Sequence, residues 1–142
     1  MKYFVTLVAA LFALTAFAQS PAGLWKTIDD KTGKERSTVR ITESGGVFSG
    51  KIEKLLAADA KQDAKCEECT DARKDQPVIG MTIIRNVKKN DDQWDGGDIL
   101  DPNNGKVYKV RIKLSEDNKK LEVRGYVGTP MFGRTQSWMR AE

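Results

Sequence analysis

The chain has 142 residues, of which 24 are lysine or arginine and 20 are aspartate or glutamate, so its formal net charge is only +4. Both signs of charge are mixed within short segments such as "KTGKER" and "SEDNKK", a pattern typical of a solvated surface and not of a nucleic-acid-binding stripe. The chain contains no histidine, which excludes Ser-His-Asp and Cys-His catalysis and leaves too few ligands for a zinc site.

Residues 1–18 have the pattern of a secretory signal peptide. Lys2 precedes an apolar run that is too short to span a bilayer, and Ala16-Phe17-Ala18 supplies the small-x-small motif that signal peptidase reads. We therefore predict cleavage after Ala18, a periplasmic or secreted location, and one mature domain over residues 19–142 without stable membrane insertion. An uncleaved N-terminal anchor is the alternative.

Three strands are predicted in the first half of this domain, over residues 23–28, 35–43 and 47–56. The segments "DDKTGK" and "ESGG" have the composition of turns and separate these strands. Alternation places Phe48, Ile52 and Leu56 on one face of the third strand. This face is predicted to point into the protein.

A long connection over residues 57–76 follows and holds both cysteines, Cys66 and Cys69. An oxidising compartment favours a disulfide between them, and the polar surroundings favour an exposed loop. Because the bridge closes so short a loop, we expect it to stabilise the fold by about 2 kcal/mol at most. A redox pair is the alternative, although Glu67 and Glu68 oppose the lowered thiol pKa that such a pair requires.

Five more strands are predicted, over residues 78–87, 94–100, 106–114, 120–128 and 134–140. In "KVYKVRIKL", Tyr108, Val110 and Ile112 share one face and basic residues share the other. The aspartates of "DDQWDGGDILDP" match no calcium-binding loop and are interpreted as turn residues, so no metal site is predicted.

These eight strands, joined mostly by tight turns, predict an all-β fold. We expect a closed antiparallel up-and-down barrel of about eight strands. The interior of such a barrel is just wide enough for side chains or for one small ligand.

Gly23-Leu24-Trp25 resembles the G-x-W signature of lipocalins and related calycin barrels. Arg140 resembles the arginine that packs over that tryptophan, and Arg134 is a competing candidate. The stretches "GLWKT", "KDQPVIGM", "WDGGDILDPNNGKVY" and "VRGYVG...FGRTQSWMR" resemble the domain-of-unknown-function 2147 family of small exported bacterial proteins. This resemblance implies a lipocalin-like barrel in a secreted or periplasmic setting, with structural roles for Gly23, Trp25 and Arg140, and it implies no reaction.

Candidate ligand contacts are the large side chains on predicted inward faces. Each of them could instead fill the core, although a phenol that points into a barrel needs a hydrogen-bond partner or a ligand. Apolar residues in the connection before the last strand would cover an open barrel end. The candidates are Tyr108, Met81, Phe48, Ile112 and Phe132.

We therefore expect a non-enzymatic exported protein that binds a small apolar or amphipathic molecule, such as a fatty acid, without a cofactor. The alternative is a structural or interaction protein of the envelope with a partner protein. A barrel interior fully filled by side chains would favour that alternative.

Overall fold

The computed structural model describes residues 19–142, so the predicted signal peptide at residues 1–18 lies outside the described residues. Nine strands form: β1 (Gly23–Ile28), β2 (Glu35–Ser44), β3 (Val47–Leu55), β4 (Thr82–Asn90), β5 (Gln93–Asp95), β6 (Asp98–Leu100), β7 (Val107–Leu114), β8 (Lys120–Tyr126) and β9 (Gly133–Arg140). Within residues 19–142 no helix is long and apolar enough to cross a membrane.

The strands close into one antiparallel barrel. Neighbours in sequence are neighbours in the sheet, β5 and β6 form two pieces of one interrupted strand between β4 and β7, and β9 returns to pair with β1. Counting the interrupted strand once gives eight strands around the barrel. The predicted all-β, closed up-and-down barrel is therefore confirmed.

Two predicted strands differ from the structure by more than a shift of one or two residues at an end. The strand predicted over residues 94–100 is interrupted at Gly96 and Gly97, which separate β5 from β6. The strand predicted from residue 78 begins only at residue 82. The reason is that Val78 belongs to the long connection, where its amide donates to the carbonyl of Ala64 at 2.9 Å.

The core fills one half of the barrel. Phe48 and Trp94 meet edge to face, with ring centroids 6.4 Å apart, and Ile112 lies opposite Trp94 in the β5–β7 pair. The side chains that fill this half are all buried: Trp25, Val39, Ile41, Phe48, Ile84, Val87, Trp94, Val110, Ile112 and Leu121. We call the end of the barrel that carries Trp25 and Arg140 the closed end.

The opposite end carries the turns that follow β1, β6 and β8 and the long connection that follows β3. Here the barrel interior is hollow, and we call this the open end. The ladder between β1 and β9 is short, because only Trp25 with Arg140 and Lys26 with Met139 are paired. Towards the open end the two strands are joined instead by an ion pair between Asp30 and Arg134.

Candidate functional site

The closed end is sealed by Trp25 beneath Arg140. Trp25 is completely buried, and its indole Nε1 donates to the carbonyl of Pro21 at 2.8 Å. The guanidinium carbon of Arg140 lies 4.2 Å from the centre of the Trp25 ring, within the range of a cation–π contact. This end of the barrel therefore offers no room for a ligand.

The hydrogen bonds of Arg140 tie three chain segments together. Its guanidinium donates to the carbonyl oxygens of Asn118 at 2.6 Å, Ala22 at 3.0 Å and Ser20 at 3.2 Å. Burial lowers the pKa of Arg140, but an arginine remains charged at any ordinary pH. The carbonyl oxygens and the Trp25 ring thus replace the water that the cation loses.

Gly23 makes this arrangement possible. Its φ is +136°, and a Cβ at this position would lie 2.5 Å from Nη1 of Arg140. The glycine of the G-x-W signature therefore leaves the space that the arginine occupies. Arg134, the competing candidate, lies at the open end, where it pairs with Asp30.

The open end holds a cavity of about 990 Å³. Its buried wall is mainly apolar and comes from strands on opposite sides of the barrel: Ile52, Ile83, Leu100, Val123 and Trp138. Ala57, Ala60, Ala64 and Val78 of the long connection add a further apolar side. The cavity can therefore surround an apolar molecule.

A few uncharged polar groups also face the cavity. The hydroxyls of Thr27 and Ser37 lie 2.7 Å apart and hydrogen-bond to each other. Gln136 uses its Oε1 to accept a bond from Nε1 of Trp138 at 3.1 Å, and Tyr108 accepts one from Asn104 at 3.3 Å. These groups leave hydrogen-bonding capacity for an uncharged polar part of a ligand.

All the charged groups that line the cavity lie in turns or within two residues of a strand start, at its rim: Asp29, Asp30, Lys31, Arg36, Asp59, Lys61, Lys65, Asp101 and Arg134. The hydrogen-bonded guanidinium of Arg134 lowers the pKa of Asp30. Hydrogen bonds from the backbone amides of Thr32 and Lys31, together with Arg36, lower that of Asp29. Both carboxylates are thus ionised at neutral pH and hold the rim together.

The disulfide between Cys66 and Cys69 is present, as predicted. The expectation that it lies in an exposed loop is wrong for the cysteines themselves, because both are buried. Sγ of Cys66 packs 3.7 Å from the carbonyl oxygen of Pro102. Gly105 approaches the Glu68 carbonyl so closely that a Cβ would overlap it. The disulfide-bonded segment of the long connection therefore packs against the turn after β6 and contributes to the shape of the cavity rim.

The structure brings together only part of the predicted ligand site. Tyr108 and Phe132 line the cavity. Phe48 and Ile112 do not, because both pack in the filled closed half around Trp94. Met81 is also outside; it lies beside a separate shallow depression on the barrel wall with Pro77 and Ile79.

Several cavity residues were missed from the sequence, among them Gln136, Ile99 and Leu55. Alternation identified most inward positions, but the prediction for Leu56 was wrong: Leu56 is exposed and Leu55 lines the cavity, because the β2–β3 register shifts before the end of β3. Alternation also gave no position along the barrel axis. A usable signal existed, because the one long connection marks the open end. Inward residues close to that end are the ones that line a cavity there.

The described chain, residues 19–142, has no group of three or more histidine, cysteine, aspartate or glutamate side chains placed to hold a metal ion. Its cavity instead combines an apolar interior, uncharged hydrogen-bonding groups and a charged rim. Chemically, this arrangement is suited to enclosing a small molecule.

Comparisons with known proteins agree with this geometry. The chain superimposes with a TM-score of 0.74 on a solved structure described as "Protein HP1028 from the human pathogen Helicobacter pylori belongs to the lipocalin family". That likeness covers 87% of this chain and 84% of the other at 20% sequence identity, so it shows a shared lipocalin fold. No curated protein matches the chain.

The family comparison is more specific and confirms the resemblance seen in the sequence. Residues 23–140 match DUF2147, a family described as "Uncharacterized protein conserved in bacteria". The matched region begins at the glycine of the closed-end motif and ends at its arginine. The chain therefore belongs to the bacterial DUF2147 family and has a lipocalin-like fold.

Proposed function

We propose that this protein binds one small apolar or amphipathic molecule, such as a fatty acid, in the cavity at the open end. The observation that carries the proposal is the cavity itself, which is about 990 Å³ in volume and has a buried wall made mainly of apolar side chains, with the hydroxyls of Thr27 and Ser37 among them. Small-molecule pockets in proteins have volumes of roughly 300–1,000 Å³ and are mostly apolar. The lipocalin-like fold supports the proposal in general terms, since barrels of this size can hold one small ligand.

The distribution of charge favours an amphipathic ligand with its head at the rim. The buried wall contains no charged side chain, so an ionised group placed there would lose its hydration without a partner. Lys31, Lys61 and Lys65 at the rim would instead attract a carboxylate. In this orientation the hydrocarbon chain lies against Ile52 and Val123, inside the barrel.

The alternative function, a structural or interaction protein of the envelope, would be favoured by a barrel interior that side chains fill completely. Side chains fill only the closed half, and the hollow open half counts against that alternative. We further propose that the protein acts in the periplasm or outside the cell. The disulfide supports this location, since disulfides persist in oxidising compartments.

Titration with a fluorescent fatty acid tests the proposed function. The mature protein is unfolded under non-reducing conditions, freed of bound lipid and refolded with its disulfide intact. We expect saturable binding of one probe per chain at micromolar or lower concentration and displacement by unlabelled fatty acids. Absence of saturable binding by the refolded barrel would refute the proposal.

Native mass spectrometry of the protein from its own host gives a second view of the same site. A co-purified molecule that leaves on delipidation, and competes with the probe when added back, would identify the ligand class directly. A non-competing molecule would lie outside this cavity.

A further inference from the structure

The turn between β8 and β9 displays three large apolar side chains to solvent. Val127 is 66% exposed, Met131 is 80% exposed and Phe132 is 70% exposed. Val127 and Phe132 also border the cavity mouth, whereas Met131 does not line the cavity. The apolar surface is therefore concentrated on one turn, directly beside the entrance.

This exposure is built into the local structure. Arg124 on β8 donates from Nε to the carbonyl of Pro130 at 2.5 Å and from Nη1 to Oγ1 of Thr135 at 2.7 Å. The amide of Val127 donates to the carbonyl of Phe132 at 3.1 Å. These bonds hold the turn in one shape while its apolar side chains remain outside.

Basic residues accompany this turn on the same rim. Lys31, Lys61 and Lys65 are exposed and form no ion pair with any of residues 19–142. The Asp30–Arg134 ion pair joins the turn that contains Lys31 to the start of β9, close to Phe132. Asp59 and Asp101 at the rim likewise form no ion pair with residues 19–142, so the five basic and four acidic side chains of the rim leave a small positive excess beside the exposed apolar turn.

We propose that the apolar turn docks the open end of the barrel onto an anionic lipid surface, an inference that rests on the proposed ligand function. Three side chains on one turn offer far less than the roughly 1,200 Å² that a stable protein–protein interface buries. Insertion into lipid requires no complementary partner surface, and its strength grows with apolar burial and with attraction to anionic headgroups. Docking would place the cavity mouth at the interface, where an amphipathic ligand can pass between membrane and barrel without crossing water.

Vesicle flotation tests the docking directly. Delipidated protein is mixed with vesicles of phosphatidylethanolamine and phosphatidylglycerol, and its bound fraction is compared for wild type, Met131→Gln and Met139→Gln. Met139 is a partly exposed methionine at the closed end and provides a matched control. We expect Met131→Gln to lower the partition coefficient by roughly tenfold and Met139→Gln to leave it unchanged. Failure of wild type to float, or equal effects of the two substitutions, would overturn the proposal.

Vesicle flotation also tests the contribution of the basic side chains at the rim. Lys61→Gln should weaken flotation with these vesicles, whereas Lys120→Gln, which alters an exposed lysine outside the rim, should not. High salt should also weaken it. Equal effects of the two lysine substitutions would contradict electrostatic attraction at the rim.

Concentration-dependent dimerisation that Met131→Gln abolishes, without vesicle binding, would assign the turn to a second copy of the chain and overturn the proposal.

Probe binding in the absence of vesicles separates this inference from the proposed function. Met131 does not line the cavity, so Met131→Gln should bind the fluorescent fatty acid as wild type does. If wild type binds the probe but no vesicle, docking is wrong and the ligand function stands. If wild type floats but binds no probe, the ligand function is wrong, and with it the role of docking in ligand transfer.

Discussion

The two ends of the barrel differ in how far their arginine and apolar side chains are buried. At the closed end, Arg140 is enclosed by carbonyl oxygens and the Trp25 ring. At the open end, Arg134 forms an ion pair near the solvent, and Phe132 is largely exposed. At the closed end the polar groups are hydrogen-bonded and water is excluded. At the open end a cavity and an exposed apolar surface remain.

This difference separates stability from function. Interactions inside the closed end are buried and numerous, so their loss should cost free energy of unfolding. Interactions at the open end are exposed or border empty space, so their loss should alter ligand affinity more than folding. Substitutions at the two ends therefore have different expected readouts.

The largest effect on stability is expected for Trp25→Ala. Removing a fully buried tryptophan typically lowers the free energy of unfolding by about 3–5 kcal/mol, and here it also removes the partner of Arg140. Urea denaturation measures the loss. Trp138→Ala is the comparison, because Trp138 pairs with Leu121 near the closed end but its side chain borders the cavity, and we therefore expect a smaller loss. A Trp25→Ala loss below about 1 kcal/mol would contradict a sealed closed end.

The double substitution Cys66→Ala and Cys69→Ala should lower the free energy of unfolding by less than Trp25→Ala does. The closed loop is short, so the chain-entropy contribution is about 2 kcal/mol, and the packing of two buried sulfur atoms adds to it. Because the long connection forms one side of the cavity, affinity for the fluorescent fatty acid should fall as well. Denaturation and probe titration measure the two effects. Unchanged affinity would show that the disulfide does not shape the cavity.

A smaller, pH-dependent effect is expected at the Asp30–Arg134 ion pair. Arg134 lowers the pKa of Asp30 below its ordinary value of 3.8, so the pair is intact above that pH and is lost as the pH falls through the lower folded value. Ligand dissociation should be insensitive to this pair from neutral pH down to that value and should accelerate below it.

Asp30→Asn should remove this acid dependence and raise the dissociation rate at neutral pH by roughly two- to fivefold, the modest size typical of an exposed pair. Asp117→Asn alters a turn carboxylate outside the cavity lining and provides the control. Stopped-flow release of the probe measures the rate. If Asp30→Asn releases the probe at the wild-type rate, the ion pair does not slow ligand release.

The sequence predicted the barrel well because strand alternation and tight turns are local signals. The G-x-W motif and Arg140 likewise identified a closed end whose parts lie far apart in the chain. Burial of the disulfide was not predictable, because it depends on Pro102 and Gly105 in a distant turn.

The cavity was predicted only in part for a similar reason. Tyr108 and Ile112 share one strand face and look equivalent by alternation. In the structure Tyr108 borders the cavity, whereas Ile112 is covered by Trp94 on the neighbouring strand. Depth within a barrel is set by the stagger of neighbouring strands, which a single sequence shows only weakly.

Filling the cavity from Gly125 tests most directly whether the open end binds the ligand. A Cβ on Gly125 would lie 3.5 Å from Cβ of Tyr108 and 3.6 Å from Cγ2 of Ile99, which are ordinary contacts, so Gly125→Leu can extend into the cavity without strain at its base. Glu122→Leu adds the same side chain to an exposed position of the same strand. We expect Gly125→Leu to keep or raise the denaturation midpoint and to lower fatty-acid affinity at least tenfold, by about 1.4 kcal/mol, while Glu122→Leu leaves affinity unchanged. Folded Gly125→Leu protein that binds the probe as tightly as wild type would show that the ligand lies elsewhere.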